Sequence, residues 1–320
     1  MLFIIKRTLL LILCIHSFAI AQVGGEGRMV LLLPYGAGSG PDTVARSLGQ
    51  AIAANGMPVV VDNKPGASGL IALNVLKGAA AESNSLLMLD SGHLTINPFM
   101  NSNQKFDFKE DLVPVAMLYK TSFMFVVSKA SPHNNLKDLI EAAKSKPGGL
   151  TYGSPFIGSP SQLGSALFEL KTKTSMLHLP APSQQLMLSL IGGDIDWAFL
   201  TQGTADSLIA SGKLKPLAVA APQRLSNYPN VPTIEEATGL KNINVGSWVA
   251  LMAVKGTPRK TVDALNARIN LALQAPSMQL TLQKLGFDAT VGGPDIVNIA
   301  ITQDSKLNRE TIAATGIKAE

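Results

Sequence analysis

Tyr35, Gly36, Ala37, Gly38 and Ser39 follow an apolar run and precede Asp42. This is the stretch of the chain best suited to hold an anion. A loop of glycine, alanine and serine leaves its backbone N–H groups uncovered. A helix starting at its end adds the positive end of a dipole. The plain alternative, that the glycines only make a tight turn, stands beside this reading. The loop is neither a GxGxxG fingerprint nor a P-loop, since the spacing differs and no Gly-Lys-Ser/Thr follows. Asp42 reads as a helix N-cap ahead of a ligand contact. Catalysis has little to work with. Past the N-terminal segment the histidines are His93, His133 and His178, widely spaced, with no HExxH, no GxSxG elbow and no metal-ligand cluster. His93, near the end of a predicted strand, is the one placed to matter. No catalytic residue, metal or cofactor is expected.

The elements that must position the loop alternate. Met29 to Leu33 is short and apolar enough for a buried strand, which Pro34 ends. Helical spacing follows from about Asp42 to Ala54, then a strand at 58–61. The turn-rich run Asp62 to Gly69 opens a helix to about Ala79, and Leu86 to Leu89 makes a third strand. This βαβαβ start predicts a parallel sheet with helices on both faces and ligands at the carboxyl ends of its strands. Two strand-like runs, 113–119 and 123–128, flank Lys120 to Ser122, the first crossing into a second lobe. There helices at 136–144, 160–170, 184–191 and 204–210 alternate with strands at 150–152, 175–179, 195–199 and 214–220. The loop Gly153 to Ser159 repeats the small-residue pattern. A strand at 249–254 returns to the first lobe, and helices at about 258–275, 277–285 and 295–315 close the chain. Trp197 and Phe199 read as core.

Three hundred and twenty residues, 46% of them hydrophobic, suffice for two lobes. Aromatics are few, at 5%, which argues against a carbohydrate or nucleic-acid platform. Lys6 and Arg7, the apolar Leu9 to Ile15 and Ala19-Ile20-Ala21 form a signal peptide over residues 1–21 and predict export to the periplasm. The apolar run is too short to span a bilayer. The one cysteine, Cys14, lies within that segment behind Leu13, so no lipid anchor, disulfide or thiol chemistry is expected. The positive charges are scattered without a basic run, so no nucleic-acid partner is expected.

Several motifs converge on one family. They are Pro34-Tyr35…Gly38…Asp42…Ala45-Arg46, Val61-Asp62-Asn63-Lys64-Pro65-Gly66-Ala67-Ser68-Gly69 and Asp111-Leu112-Val113-Pro114-Val115-Ala116. Further along come Gly192-Gly193-Asp194-Ile195-Asp196, Gly212-Lys213-Leu214-Lys215-Pro216-Leu217-Ala218-Val219 and Tyr228-Pro229-Asn230-Val231-Pro232-Thr233, then Trp248 and Gly256-Thr257-Pro258. In this order the chain resembles the periplasmic solute-binding proteins of tripartite tricarboxylate transporters, the Bug or TctC-like family.

The resemblance implies an α/β, two-lobed periplasmic-binding-protein fold of type II, the Venus-flytrap build, with a ligand cleft between lobes. Residues 22–120 would form the first part of lobe 1, 121–245 lobe 2, and 246–320 the rest of lobe 1. It implies a ligand carboxylate held by backbone amides of Tyr35, Gly36, Ala37, Gly38 and Ser39, partly through ordered water. Ser154, Gly158, Ser159, Asp196 and Thr201 would face it from the other lobe; for Asp196 a turn role is equally open. The partners implied are a small carboxylate and membrane permease subunits, served by a monomer that is not an enzyme. The alternative is a sensory partner presenting its ligand to a periplasmic sensor kinase. Three departures bear on the ligand, one of them Glu82-Ser83-Asn84-Ser85-Leu86 where the family has Asp-Gly-Tyr-Thr-Leu before the third strand. Leu179-Pro180-Ala181-Pro182-Ser183 stands where the family has Val-Pro-Tyr-Lys-Gly, and Ser39 replaces the loop's second glycine.

Overall fold

The computed structural model describes residues 27–81, 83–100 and 108–317. The expected signal segment, residues 1–21, lies outside them. Among the described residues no helix is long and apolar enough to cross a membrane.

Strand β1 (Met29–Leu33) is buried on both faces. Its period of two sends Met29, Leu31 and Leu33 into one core and Leu32 into another. Helix α1 (Gly40–Ala53) lays Val44, Ala45, Leu48 and Ile52 on the first of these cores. Strand β2 (Val59–Asn63), helix α2 (Leu70–Lys77) and strand β3 (Ser85–Asp90) complete the βαβαβ unit, with β2, β1 and β3 adjacent and parallel. Two short helices, α3 (Ser91–Thr95) and α4 (Asn97–Met100), then follow. A single turn, α5 (Phe108–Asp111), leads into β4 (Leu112–Ser128).

The sequence predicts two strands here, yet β4 runs unbroken for 17 residues. Lys120, Thr121 and Ser122 stay in the ladder because Trp248, Ser247 and Gly246 pair with them. They are polar because they lie between two cores: Tyr119 belongs to the first, Phe123 to the next.

Beyond the crossing come α6 (Leu136–Ser145), β5 (Thr151–Ser154), α7 (Pro160–Thr172), β6 (Leu177–Pro180), α8 (Ser183–Gly192) and β7 (Trp197–Thr201). Then follow α9 (Gln202–Ala210), β8 (Leu214–Val219) and α10 (Ile234–Thr238). The same alternation operates: Phe123, Phe125, Val127, Trp197 and Phe199 fill one face, Met124, Val126, Ala198 and Leu200 the other. Trp197 is fully buried and stacks on Phe125 at 4.1 Å between centroids, in keeping with its reading as core. Each such side chain stabilises the fold by about 1.5–3 kcal/mol. Strand β9 (Gly246–Val254) returns antiparallel between β3 and β4, and α11 (Arg259–Leu273), α12 (Pro276–Lys284), β10 (Asp288–Ala289) and α13 (Asp295–Thr315) finish the chain. The strand order β2-β1-β3-β9-β4-β7-β5-β6 is therefore mixed rather than wholly parallel, with β8 and β10 also pairing β4.

Candidate functional site

The loop from Tyr35 to Ser39 emerges at the carboxyl end of β1. Ser39 caps α1, with its hydroxyl accepting the Asp42 N–H at 3.4 Å. Asp42 is therefore not the N-cap, as its position suggested, but sits three residues inside the helix. It is buried, and its carboxylate reaches back to accept the Gly38 N–H at 2.8 Å. Arg46 and Asn63 donate to the same carboxylate at 3.0 and 2.9 Å, and Asn63 also holds the Tyr35 carbonyl at 3.0 Å. Burial pushes the Asp42 carboxyl up, but the Arg46 and Gly38 donors outweigh it and leave the pKa below its ordinary value. Gly36, Ala37 and Gly38 remain exposed, and the Ala37 amide has no hydrogen-bond partner among the described residues.

The loop from Ser154 to Ser159 repeats the device at the carboxyl end of β5. Ser159 caps α7 by accepting the Gln162 N–H at 3.2 Å, and Gln162 Oε1 accepts the Gly158 N–H at 2.6 Å. A backbone amide can only donate, so the Gln162 oxygen faces it and its Nε2 donates to His178 Nδ1 at 3.1 Å. The imidazole proton then sits on Nε2 and is donated to Ser154 Oγ at 2.8 Å, while the Ser154 hydroxyl donates to the Phe156 carbonyl at 3.1 Å. Burial lowers the His178 pKa, as this neutral tautomer requires.

The two loops belong to different halves of the sheet and are bridged by His93 and Asn97. Gly158 has φ +84°, and a Cβ on it would stand 2.7 Å from Asn97 Oδ1. The Phe156 ring lies 6.4 Å from His93, which meets Tyr35 edge-on at 5.7 Å. On the other flank α9 docks on the turn after α12 so closely that a Cβ on Gly203 would strike the Leu285 carbonyl.

Between the loops lies α3. Its N-cap, Asp90, accepts from the His93 backbone at 3.0 Å and from His93 Nδ1 at 2.7 Å. Burial raises the Asp90 carboxyl, yet His93 beside it leaves the pKa below the ordinary range. Burial, then the Asp90 charge, lift Tyr35 well above a normal phenol, so its hydroxyl stays a neutral donor. That hydroxyl is buried and its approach to Asp90 falls short of a hydrogen bond; the Asn97 amide nitrogen, also buried, is likewise without a partner among the described residues.

Of the residues expected at a site, Tyr35, Gly36, Ala37, Gly38 and Ser39 stand on one side, Ser154, Gly158 and Ser159 on the other. Thr201 ends β7 at the same edge of the sheet, its hydroxyl 2.9 Å from that of Thr204. Asp196 is not brought to them. It precedes β7, and its carboxylate accepts from Thr151 N at 2.7 Å and Oγ1 at 2.9 Å, tying together the starts of β5 and β7. Five residue-to-residue steps along the strand separate it from Thr201, about 16 Å. The serine hydroxyls of 154 and 159 are buried and committed to internal bonds, so what these loops offer is mainly backbone. Sequence reasoning missed Asp90, Asn97 and Gln162. Glycine-Ser-x-x-Asp/Gln before an apolar helix, present at both 38–42 and 158–162, was the signal for the last. Among the described residues no three metal-ligating side chains cluster.

The chain matches the tripartite tricarboxylate transporter family receptor (TctC) over residues 44–317. It is 30% identical over 268 residues to a protein encoded in the tcbD–tcbE intergenic region of Pseudomonas sp. strain P51, spanning 83% of this chain and 80% of that one. Among solved structures it resembles Rpa4515 of R. palustris with adipate (TM-score 0.85, 25% identity, 92% and 98% of the two chains). It is also similar to the periplasmic binding protein BugD (0.82, 26%, 92% and 99%). MatC of Rhodopseudomonas palustris with bound malate aligns as well (0.80, 25%, 90% and 99%). The fold is that of the α/β periplasmic binding proteins.

Proposed function

This chain belongs to the tripartite tricarboxylate transporter receptor family, a family of receptors rather than enzymes, and from that premise we propose that it captures a small carboxylate between its two loops. We take it to do so in the periplasm and to deliver its ligand to a membrane permease. The relatives in hand with adipate and malate point to that ligand class. The observation that carries the reading is the facing pair of serine-capped helix starts, α1 and α7, whose side chains are spent on holding backbone amides in place. Micromolar capture requires about 8 kcal/mol. A helix terminus supplies about 0.3–1 kcal/mol, and a hydrogen bond to a charged group about 1.5–3 kcal/mol. Three or more donors must therefore converge. The exposed Ala37 amide is available for this; the Tyr35 hydroxyl and the Asn97 amide, buried without partners among the described residues, join it when the halves part to admit the ligand, and renewed contact between the halves excludes the competing water. No arginine or lysine lies within either loop.

Thermal unfolding of the purified protein against adipate, malate and other small carboxylates tests the reading. A ligand at one hundred times its Kd adds about 2.7 kcal/mol, a shift of roughly 1–2 °C per kcal/mol at this size. Ala37→Glu places a carboxylate on the exposed loop and is expected to abolish the shift. No shift with any carboxylate in the unaltered protein would sink the proposal, and a shift surviving in Ala37→Glu would move the site elsewhere.

A further inference from the structure

A cavity of about 390 Å³ opens beside the strands that join the halves. Its walls are Ser91 and Ile96 at the two ends of α3, Lys120–Ser122 of β4, residues 244–248 entering β9, the first turns of α7 and the later turns of α13; it abuts α3, but no residue of 35–39, 154–159 or 201 lines it. That volume is within the range of small-molecule sites, roughly 300–1,000 Å³.

Its charges are unusual. Asp304 accepts the Trp248 indole N–H at 2.7 Å through one carboxylate oxygen, and the other oxygen has no partner among the described residues. Lys120 makes no ion pair among them either, although its charge is felt at Asp304. The two groups therefore share the cavity from beyond ion-pairing distance. Asp288, opposite Lys120 in the β10–β4 ladder, adds a second carboxylate at the rim. The remaining wall is mixed: Leu163, Leu167 and Val245 make one apolar patch, and Ser247, Gln303 and Asn308 are among the polar side chains around it.

We propose that this cavity binds a small zwitterion with an apolar side chain, an α-amino acid of the leucine type. Its carboxylate pairs with Lys120, its ammonium with the free oxygen of Asp304, and its side chain covers Leu163, Leu167 and Val245. A gap between opposite charges that do not reach each other fits a guest carrying both. An anion alone would face two carboxylates, and a cation alone would leave Lys120 unmatched. Because α7 belongs to one half and Asp304 to the other, the guest also bridges the halves, so its occupancy is linked to carboxylate capture at the loops.

Trp248 lines the cavity and reports on it, whereas the other tryptophan, Trp197, is sealed in a core. Fluorescence is followed while the protein is titrated with L-leucine, with 4-methylpentanoate, which lacks the ammonium, and with 3-methylbutylamine, which lacks the carboxylate. Leucine is expected to give a saturable shift. Either comparator, and leucine with Lys120→Met or Asp304→Asn, should bind weaker by about tenfold or more, the loss of one charge-assisted pair. Asn at 304 still accepts the Trp248 N–H, so a fall in affinity there reads the charge and not the fold. The response should persist in Ala37→Glu. No saturable signal at millimolar leucine, equal binding by the charge variants, or loss of the response in Ala37→Glu would each overturn the proposal.

Discussion

The loops before α1 and α7 are the same device built in two chemistries. Each has a glycine at positive φ, +80° at Gly38 and +84° at Gly158, followed by a capping serine and an acceptor side chain four residues after the glycine. At Gly38 the acceptor is a carboxylate held by Arg46, whose side chain is 50% exposed. At Gly158 it is a neutral amide, backed by an imidazole and a hydroxyl, each bond passing to the next. Both pins are buried, so the difference follows from the partners they find. Asp42 keeps its charge because the half-exposed Arg46 pairs with it and Gly38 and Asn63 donate to it, whereas Gln162 meets only an imidazole and a backbone amide and needs no counter-ion. One loop is held by groups that salt can screen, the other by groups that only a change of protonation disturbs.

The sharpest test of that contrast is alanine at each glycine. Gly158→Ala meets Asn97 Oδ1 at 2.7 Å in addition to its left-handed backbone, whereas nothing lies within 4 Å of a Cβ at Gly38. Gly38→Ala is expected to cost only the backbone strain, about 1–2 kcal/mol. Gly158→Ala should exceed this and lower carboxylate affinity more than tenfold. Denaturant midpoints and calorimetry on both variants read the difference, and equal effects would break the comparison.

Next in size is Gln162→Ala. It strips a buried acceptor from the Gly158 amide and a donor from His178, with an expected loss of about 1–3 kcal/mol. Asp42→Ala should cost less, because Gly38 is exposed and its amide can turn to water. The measurement is again the unfolding midpoint, and a larger loss at Asp42 would reverse the assignment of which pin is the stronger.

Acid separates the two pins by pH. The His178 pKa is lowered on folding from its ordinary 6.5, so its contribution is fully present above 6.5 and is lost as pH falls through the folded value. Asp42 is also lowered, from 3.8, so its contribution persists until pH falls below that. Stability followed from neutral pH to about pH 5 should show a decline that His178→Gln removes, because a glutamine does not titrate. A decline unchanged in that variant would assign it elsewhere.

The smallest expected effect is that of salt. Raising ionic strength screens the Arg46–Asp42 pair from its half-exposed Arg46 side and leaves the neutral relay untouched. The stability gap between the wild type and Arg46→Met should therefore narrow with salt, whereas that between the wild type and Gln162→Ala should stay constant.

What the sequence by itself determined was whatever depends on near neighbours. The apolar period placed β1, α1 and α13 within a residue or two. Glycine, serine and proline located both loops, because capping and turn chemistry act over four residues. The family motifs, local strings in fixed order, carried the family and the fold class. Contacts between distant residues were decided by the tertiary structure alone. Lys120–Ser122 looks like a break because it is polar, but pairing with 246–248, more than a hundred residues on, keeps it strand. Asp196 shares its neighbourhood in sequence with Thr201, yet five extended residues carry the two to opposite ends of β7. His178 gives no local sign of its role, since its partners Ser154 and Gln162 lie on the neighbouring strand and on the helix that follows it. Local chemistry is written in spacing along the chain, whereas a relay or a cavity exists only once packing brings its members within bonding distance.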